Sequence, residues 1–185
     1  MIKRPSKTAL LNIAMGTVAA VAVALAVAYA LAPEATKVKV GDQAPELQLP
    51  TFGGARSKLS SYRGQPVLLF FFKATCRLCR EEMPALEELH RRYGPRGLAV
   101  IGVSVDVDND TLKSFLEQHN VTFIIMQDPD AQVLRREFGS YKMPESYLLD
   151  KNGVVVRTYL GRADWQAQAT LEPIQRLIGI RMWPH

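Results

Sequence analysis

The sequence predicts an α/β domain with a mixed central sheet and helices on both faces, preceded by one N-terminal transmembrane or signal helix. Continuous apolar runs such as Val67–Phe72 have the length and the β-branched and aromatic content of strands buried on both faces. Amphipathic segments lie between the earlier apolar runs, and this alternation is typical of parallel βαβ units. The chain then closes with a hairpin and a helix, and the two patterns together predict the mixed sheet.

The individual elements follow from apolar runs, turn residues and helix caps. We predict strands at residues 47–49, 67–72, 98–105, 123–126, 145–149 and 154–160, and helices at residues 81–93, 111–119, 132–138 and 164–178. Asp110 and Asp164 are expected to cap the second and last helices at their N-termini. Gly139 and Gly179 are expected to end the last two helices. Residues 151–153, Lys-Asn-Gly, predict the turn of the closing hairpin.

The two cysteines of the chain, Cys76 and Cys79, stand where the central strand ends and a long helix begins. A thiol at this position faces unpaired backbone N–H groups and the positive end of the helix dipole, and both favour the thiolate that attacks disulfides. Cys76 is nearest the helix start, and the neighbouring Arg77 adds positive charge, so we assign Cys76 as the nucleophile. Cys79 lies one turn further in, where burial is expected, and can resolve a mixed disulfide on Cys76.

A structural disulfide and a metal site are weaker explanations of this CRLC sequence. A bridge between cysteines three residues apart closes a very small loop and removes little chain entropy. One cysteine pair supplies two of the roughly four ligands of a structural zinc site, and the three histidines lack ligand spacing to one another. The sequence therefore predicts dithiol redox chemistry without a metal or a cofactor.

The charge of the chain does not indicate a nucleic-acid partner. Of the formal net charge of +5, Lys3, Arg4 and Lys7 contribute three. From Glu34 onward, 20 basic residues stand against 18 acidic ones. This part of the chain lacks the basic runs and the aromatic–basic interleaving that are typical of nucleic-acid binding.

An uncharged stretch of 26 residues, from residue 8 to residue 33, follows the basic N-terminus. A spanning helix needs about 20 residues, and positive flanks stay in the cytoplasm. We therefore predict a membrane anchor at residues 1–33, a linker at 34–39 and an extracytoplasmic domain at 40–181. The alternative is a secretory signal cleaved near Ala32, which would leave a secreted or periplasmic protein. The apolar region of a signal usually has only about 7–15 residues, which favours the retained anchor.

Four ordered motifs carry a family resemblance. Residues 71–79 are FFKATCRLC, residues 40–45 VGDQAP, residues 101–106 IGVSVD and residues 143–153 MPESYLLDKNG. The first resembles the FWATWCxPC segment of membrane-anchored TlpA/ResA/CcmG-type thiol–disulfide oxidoreductases, within the AhpC/TSA-redoxin-like superfamily. The others resemble the start of that domain, its next strand, and its proline loop with the following hairpin. The resemblance runs from about residue 40 to residue 165 and implies a thioredoxin-like fold.

The resemblance also implies roles for the residues around the dithiol, with Cys76 as nucleophile and Cys79 as resolving cysteine. Glu82 matches a glutamate that tunes the thiol pKa and can relay a proton, although its residue type alone allows a first-turn acid favoured by the helix dipole. Met143-Pro144 matches a cis-proline pair that faces the cysteines and offers backbone hydrogen bonds to a bound peptide. Glu145 resembles the acid of the CcmG type, which can raise a cysteine pKa or select a partner; the alternative is a surface acid at a strand start.

Four positions depart from the family pattern. They are Phe72 and Thr75 in place of tryptophan, Leu78 in place of the common proline, and Lys73 as an additional charge. Residues between the cysteines strongly affect the reduction potential in this fold. The sequence therefore leaves open whether the protein reduces or oxidises its partners.

The leading interpretation is a single-pass protein of the cytoplasmic membrane whose periplasmic domain exchanges electrons with protein cysteine pairs. By resemblance it is a reductant in cytochrome c maturation or at a copper-site cysteine pair, with apocytochrome c or a copper-site protein as substrate and a membrane protein as electron donor. One alternative is a thiol peroxidase, although such enzymes keep a threonine where this chain has Lys73. The other is a non-enzymatic copper carrier using Cys76, Cys79 and Met143, although related carriers usually have CxxxC and a distal histidine.

Overall fold

The computed structural model describes residues 17, 18, 20–24, 27 and 37–180. The chain divides into two units, residues 1–34 and residues 35–185. The described residues of the first unit are helical and exposed. Most of the predicted anchor at residues 1–33, and the predicted cleavage site at Ala32, lie outside the described residues. Within the described part of the chain, no helix has both the length and the apolar character needed to cross a membrane.

The second unit alternates strands and helices along the chain. Its strands are β1 (Gln48–Pro50), β2 (Arg56–Lys58), β3 (Val67–Phe72), β4 (Ala99–Ser104), β5 (Ile124–Gln127), β6 (Glu145–Leu149) and β7 (Val155–Leu160). Its α-helices are α1 (Arg77–Tyr93), α2 (Asn109–Gln118), α3 (Gln132–Arg136) and α4 (Gln168–Leu177). Short 3₁₀ turns lie at Leu59–Tyr62, Gly94–Arg96 and Pro129–Ala131.

The main sheet has the strand order β5-β4-β3-β6-β7, and β1 and β2 form a separate antiparallel hairpin. Strand β3 pairs in parallel with β4, placing Phe72 beside Ser104, and antiparallel with β6, placing Phe71 beside Glu145. The end of β3 therefore lies at the same edge of the sheet as the end of β4 and the start of β6. This arrangement confirms the predicted mixed sheet.

Strand β3 is buried along its whole length because packed apolar layers cover both faces of the sheet. Leu68, Phe70 and Phe72 face one layer, and Leu69 and Phe71 face the other. Apolar residues of α1, α2 and α4 cover the first face, among them Met83, Leu86, Leu112, Phe115 and Ile174. Residues around β1 and α3 cover the second, among them Leu47, Leu59, Leu134 and Phe138. Burying each such side chain contributes roughly 1.5–3 kcal/mol, so the dithiol at the end of β3 stands on a well-packed support.

Two helix starts differ from the predictions. Helix α1 begins at Arg77, four residues before the predicted start at Glu81, because Cys76 itself is the N-cap. Helix α2 is capped by Asp108 rather than by the predicted Asp110, because the Asp108 carboxylate accepts the N–H groups of Asp110 and Thr111. Both aspartates suit the capping pattern, and the chain uses the earlier one.

The end of α3 and the start of α4 also differ from the predictions. Helix α3 ends at Arg136, two residues before the predicted end. Asp164 does not cap α4 but accepts the N–H groups of Gln166 and Ala167 in the turn before it. Helix α4 therefore begins at Gln168, without a side-chain hydrogen bond at its N-cap.

Gly102 in β4 packs closely against neighbouring side chains. A Cβ atom there would lie 2.7 Å from Cδ1 of Ile125 and 3.1 Å from ring carbons of Phe123 and Phe72. We expect Gly102→Ala to lower the free energy of unfolding by about 1–3 kcal/mol, because this packing has no room for a methyl group. Denaturant unfolding measures the loss. The control is Gly53→Ala, where the nearest atom outside the adjoining residues lies at 3.9 Å; an equal loss in both variants would contradict the packing argument.

Candidate active site

The two cysteines occupy the first turn of α1 with different exposure. Cys76, the N-cap, is half-buried, and Cys79 is fully buried. Both are free thiols. The Cys79 N–H donates to the Cys76 sulfur at 3.4 Å, and the positive end of the helix dipole adds to the same effect. Negative charge on the Cys76 sulfur is therefore stabilised at the position that a partner can reach.

Cys79 is held as a thiol by its surroundings. Burial is the largest cause that raises the pKa of the Cys79 thiol far above its ordinary value. Its hydrogen bond with Cys76 and the negative charges of Cys76 and Glu82 raise this pKa further, while a backbone hydrogen bond involving Lys73 opposes them. The two cysteines are thus chemically distinct, with the accessible sulfur suited to attack and the buried sulfur protonated at rest.

Glu82 lies inside the protein beside Cys79 rather than on the helix surface. Its carboxylate is 2% exposed and accepts hydrogen bonds from the Ala163 N–H at 3.1 Å and from the Trp165 indole N–H at 2.5 Å. Burial raises the pKa of Glu82 above its ordinary value, although both hydrogen bonds oppose the shift. Glu82 therefore lies within electrostatic reach of the Cys79 thiol. Because α1 begins at Arg77, Glu82 lies beyond the first turn of the helix, so the alternative of a first-turn acid does not hold.

The positive charge of Arg77 is paired with Glu81 as well as lying next to the Cys76 sulfur. Its side chain is 87% exposed and pairs with Glu81, with Nε and Oε1 2.9 Å apart. Arg162 approaches the other oxygen of Glu81 at 3.9 Å. Glu81 therefore offsets part of the positive charge that the sequence places next to Cys76.

The proline loop reaches the same edge of the sheet as the cysteines. The Met143-Pro144 peptide bond is cis, which confirms the prediction for this pair. Pro144 is buried and Met143 is half-buried. Because the next residue, Glu145, pairs with Phe71 near the end of β3, the loop lies at the dithiol end of the sheet.

Glu145 is buried on the other face of the sheet. It is 0% exposed, which makes the predicted alternative of a surface acid wrong. Its carboxylate accepts hydrogen bonds from the hydroxyls of Ser140 and Tyr147 and pairs with Lys37. Tyr147 belongs to the core layer opposite the one that contains Cys79. The structure therefore does not bring the Glu145 carboxylate together with the cysteines.

Sequence reasoning missed two residues that shape the site. Asp106 is buried, and its carboxylate accepts the Ala74 N–H at 2.8 Å and the Ser104 hydroxyl at 2.9 Å, so it fixes the loop that leads into Cys76. The only sequence signal for the role of Asp106 was an acidic residue directly after a predicted buried strand. Trp165 holds Glu82 from 83 residues away, and no local pattern predicts that contact.

Two clefts flank the start of α1. One, of about 370 Å³, is lined by residues that include Thr75, Arg80, Phe115 and Gln118. The other, of about 560 Å³, lies between α1 and the segment that carries Arg162. Among the described residues, no group of three or more histidine, cysteine or acidic side chains is arranged to hold a metal ion.

The sheet order, the cis-proline loop and the cysteines at the start of α1 are those of the thioredoxin fold, and the molecule is a thioredoxin-like thiol–disulfide oxidoreductase. The chain belongs to the AhpC/TSA family, whose model matches residues 40–158. It is 35% identical over 128 residues to the thiol-disulfide oxidoreductase ResA of Geobacillus thermodenitrificans, covering 69% of this chain and 73% of that protein. These findings confirm the resemblance of the sequence to TlpA/ResA/CcmG-type proteins.

Two further relatives agree with this assignment. The thioredoxin-like protein YneN of Bacillus subtilis is 32% identical over 127 residues, covering 67% of this chain and 73% of that protein. A crystal structure from Chlorobium tepidum, assigned as a thiol:disulfide interchange protein DsbE, superposes with a TM-score of 0.71 at 31% identity. It covers 77% of this chain and all of that one.

Proposed function

We propose that Cys76 and Cys79 are the redox pair of this oxidoreductase and that they reduce disulfides in partner proteins. The observation that carries the proposal is the difference between the sulfurs. Cys76 is reachable and accepts a helix N–H, whereas Cys79 is buried with a raised pKa. This difference suits one cysteine to attack a partner and the other to release it.

The reaction balances as two thiol–disulfide exchanges. The Cys76 thiolate attacks one sulfur of the partner disulfide, forms a mixed disulfide and expels the other partner sulfur as a thiolate. Cys79 then loses its proton and attacks the Cys76 sulfur, which closes the Cys76–Cys79 disulfide and expels the second partner thiolate. The partner gains two electrons, the protein loses two, and a reductant must restore the dithiol.

Glu82 is the group that we assign to take the Cys79 proton. It is buried beside that thiol, and its raised pKa makes it a stronger base than an exposed carboxylate. The hydrogen bonds from Ala163 and Trp165 hold the carboxylate in place while it does so. A carboxylate in this role accepts the proton and lets the second exchange proceed although Cys79 is protonated at rest.

We expect Glu82→Gln to slow release of the partner from a preformed Cys76 mixed disulfide by at least about tenfold. Because the carboxylate form is the base, the wild-type release rate should rise as pH increases through the raised pKa of Glu82. The variant should not show this pH-dependent rise in the release rate. Stopped-flow release at a series of pH values measures both effects. Glu81→Gln, at the neighbouring surface position, is the control and should change the rate less than about twofold; an unchanged pH profile in Glu82→Gln would exclude the relay.

The place of this reaction is proposed as the extracytoplasmic side of the cytoplasmic membrane. The basic N-terminus followed by 26 uncharged residues supports an anchor with the domain outside. There the protein would act as a reductant in cytochrome c maturation or at a copper-site cysteine pair, supplied with electrons by a membrane protein. The relatives named ResA and DsbE support this setting by resemblance.

A disulfide-bonded peptide with the Cys-Xaa-Xaa-Cys-His pattern of haem attachment sites tests the proposal. The reduced full-length protein should convert the peptide to its dithiol with one equivalent of the Cys76–Cys79 disulfide formed. Hydrogen peroxide and copper(I) offered to the same reduced protein test the peroxidase and carrier alternatives. Turnover of peroxide, or tight copper binding without peptide reduction, would contradict the proposed function.

A further inference from the structure

A buried polar cluster lies under the proline loop, on the sheet face opposite the cysteines. At its centre is Glu145, whose side chain is 0% exposed. One carboxylate oxygen accepts the Tyr147 hydroxyl at 2.7 Å and lies 3.2 Å from the Lys37 ammonium. The other accepts the Ser140 hydroxyl. Among the described residues, Lys37 is the cation paired with this carboxylate.

The cluster closes the loop that contains Met143-Pro144. Ser140 and Glu145 flank this loop, and the hydrogen bond between their side chains joins its two ends. Inside the loop, the Lys142 N–H points at the Ser140 hydroxyl at 3.4 Å. The Glu145 carboxylate therefore holds the backbone of the loop in place through Ser140.

Lys37 belongs to a segment that docks beside this cluster. The next residue, Val38, is buried, and its N–H donates to the Phe138 carbonyl at 3.2 Å. The Lys37 side chain is 39% exposed, and its ammonium reaches the buried Glu145 carboxylate. A buried carboxylate that loses its cation must take up a proton or move toward water. Either change alters the hydrogen bonds that close the proline loop.

We propose that Lys37 is a positioning residue that fixes the proline loop in the form that binds the partner polypeptide, acting through Glu145. The inference rests on the proposed function, together with the partner-binding role that the family resemblance implies for the backbone of this loop. It also assigns Lys37, which follows the predicted anchor, to the part of the molecule that positions the partner-binding loop. The partner is any extended, disulfide-containing segment that lies along residues 143–144.

The test is steady-state reduction of the Cys-Xaa-Xaa-Cys-His peptide disulfide by the full-length protein. We expect Lys37→Met to raise KM for the peptide by about tenfold, because a displaced loop binds the peptide poorly. The value of kcat should stay within about twofold, because the cysteines lie on the other face of the sheet. Lys37→Arg, which keeps the charge, should restore KM. Lys39→Met is the control, since Lys39 is exposed and its side chain makes no ion pair with any described residue.

A double variant separates positioning from general destabilisation. If Lys37 acts through Glu145, then Lys37→Met combined with Glu145→Gln should raise KM no more than the larger single effect, whereas independent effects would multiply. An unchanged KM in Lys37→Met, or an equal loss in Lys39→Met, would overturn the inference while leaving the proposed function intact. Failure of the wild-type protein to reduce the peptide would instead overturn the proposed function, and the inference with it.

Discussion

Replacing Cys76 with serine is expected to lower the rate of disulfide reduction by about 10³-fold or more, because a hydroxyl at this position is not an effective nucleophile toward sulfur. The helix N–H that stabilises charge on the Cys76 sulfur cannot make an alkoxide available at neutral pH. The peptide disulfide assay measures the loss. The fold should be unaffected, since Cys76 is half-buried at a helix cap where serine is also a favoured residue.

Replacing Cys79 with serine should block the second thiol–disulfide exchange rather than the first. The first exchange still occurs, but no second thiol displaces the partner, so the protein accumulates as a mixed disulfide through Cys76. Non-reducing electrophoresis and mass spectrometry identify the trapped species. Multiple turnovers by Cys79→Ser at the wild-type rate would show that the two-cysteine mechanism is wrong.

The second large effect is expected at Asp106, under the loop that presents Cys76. Asp106→Ala leaves the buried Ala74 N–H and the Ser104 hydroxyl without their shared acceptor. We expect the free energy of unfolding to fall by about 2–4 kcal/mol, because a buried donor without a partner pays its full desolvation cost. Denaturant unfolding of the reduced protein measures this change.

Two further variants serve as comparisons for the loss of stability expected in Asp106→Ala. Asp106→Asn keeps one acceptor oxygen and should lose clearly less stability than Asp106→Ala. Asp108→Ala removes the exposed N-cap of α2 and should cost only about 1 kcal/mol. If Asp106→Ala were no worse than Asp108→Ala, the carboxylate would not be holding the cysteine loop.

The features predictable from the sequence are those written in short stretches of chain. The apolar run of β3 identifies a strand buried on both faces, and the cysteines directly after it place the dithiol at a helix start. The motif MPE locates the proline loop by resemblance. Each of these signals spans fewer than about a dozen residues, which is the range over which periodicity and motif spacing are informative.

The features that escaped prediction depend on contacts between distant parts of the chain. Trp165 fixes Glu82 from 83 residues away, and Lys37 neutralises Glu145 only because two remote segments dock side by side. Residue type alone favours an exposed glutamate, so the burial of Glu82 and Glu145 follows from the fold and not from their neighbours in sequence. The choice of Asp108 over Asp110 as a cap is a smaller case, because both residues satisfy the same local pattern.

The central claim is that Cys76 and Cys79 form a reversible disulfide in a protein that donates electrons. The equilibrium reduction potential of the full-length protein, read by thiol labelling in buffers of defined thiol and disulfide ratio, tests it. We predict a value well below about −200 mV, which fits a reductant that is supplied with electrons across the membrane. A value near about −120 mV would mark an oxidant of folding proteins and contradict the proposed direction of electron flow. A disulfide that can be reduced only after unfolding would contradict the redox role of the pair altogether.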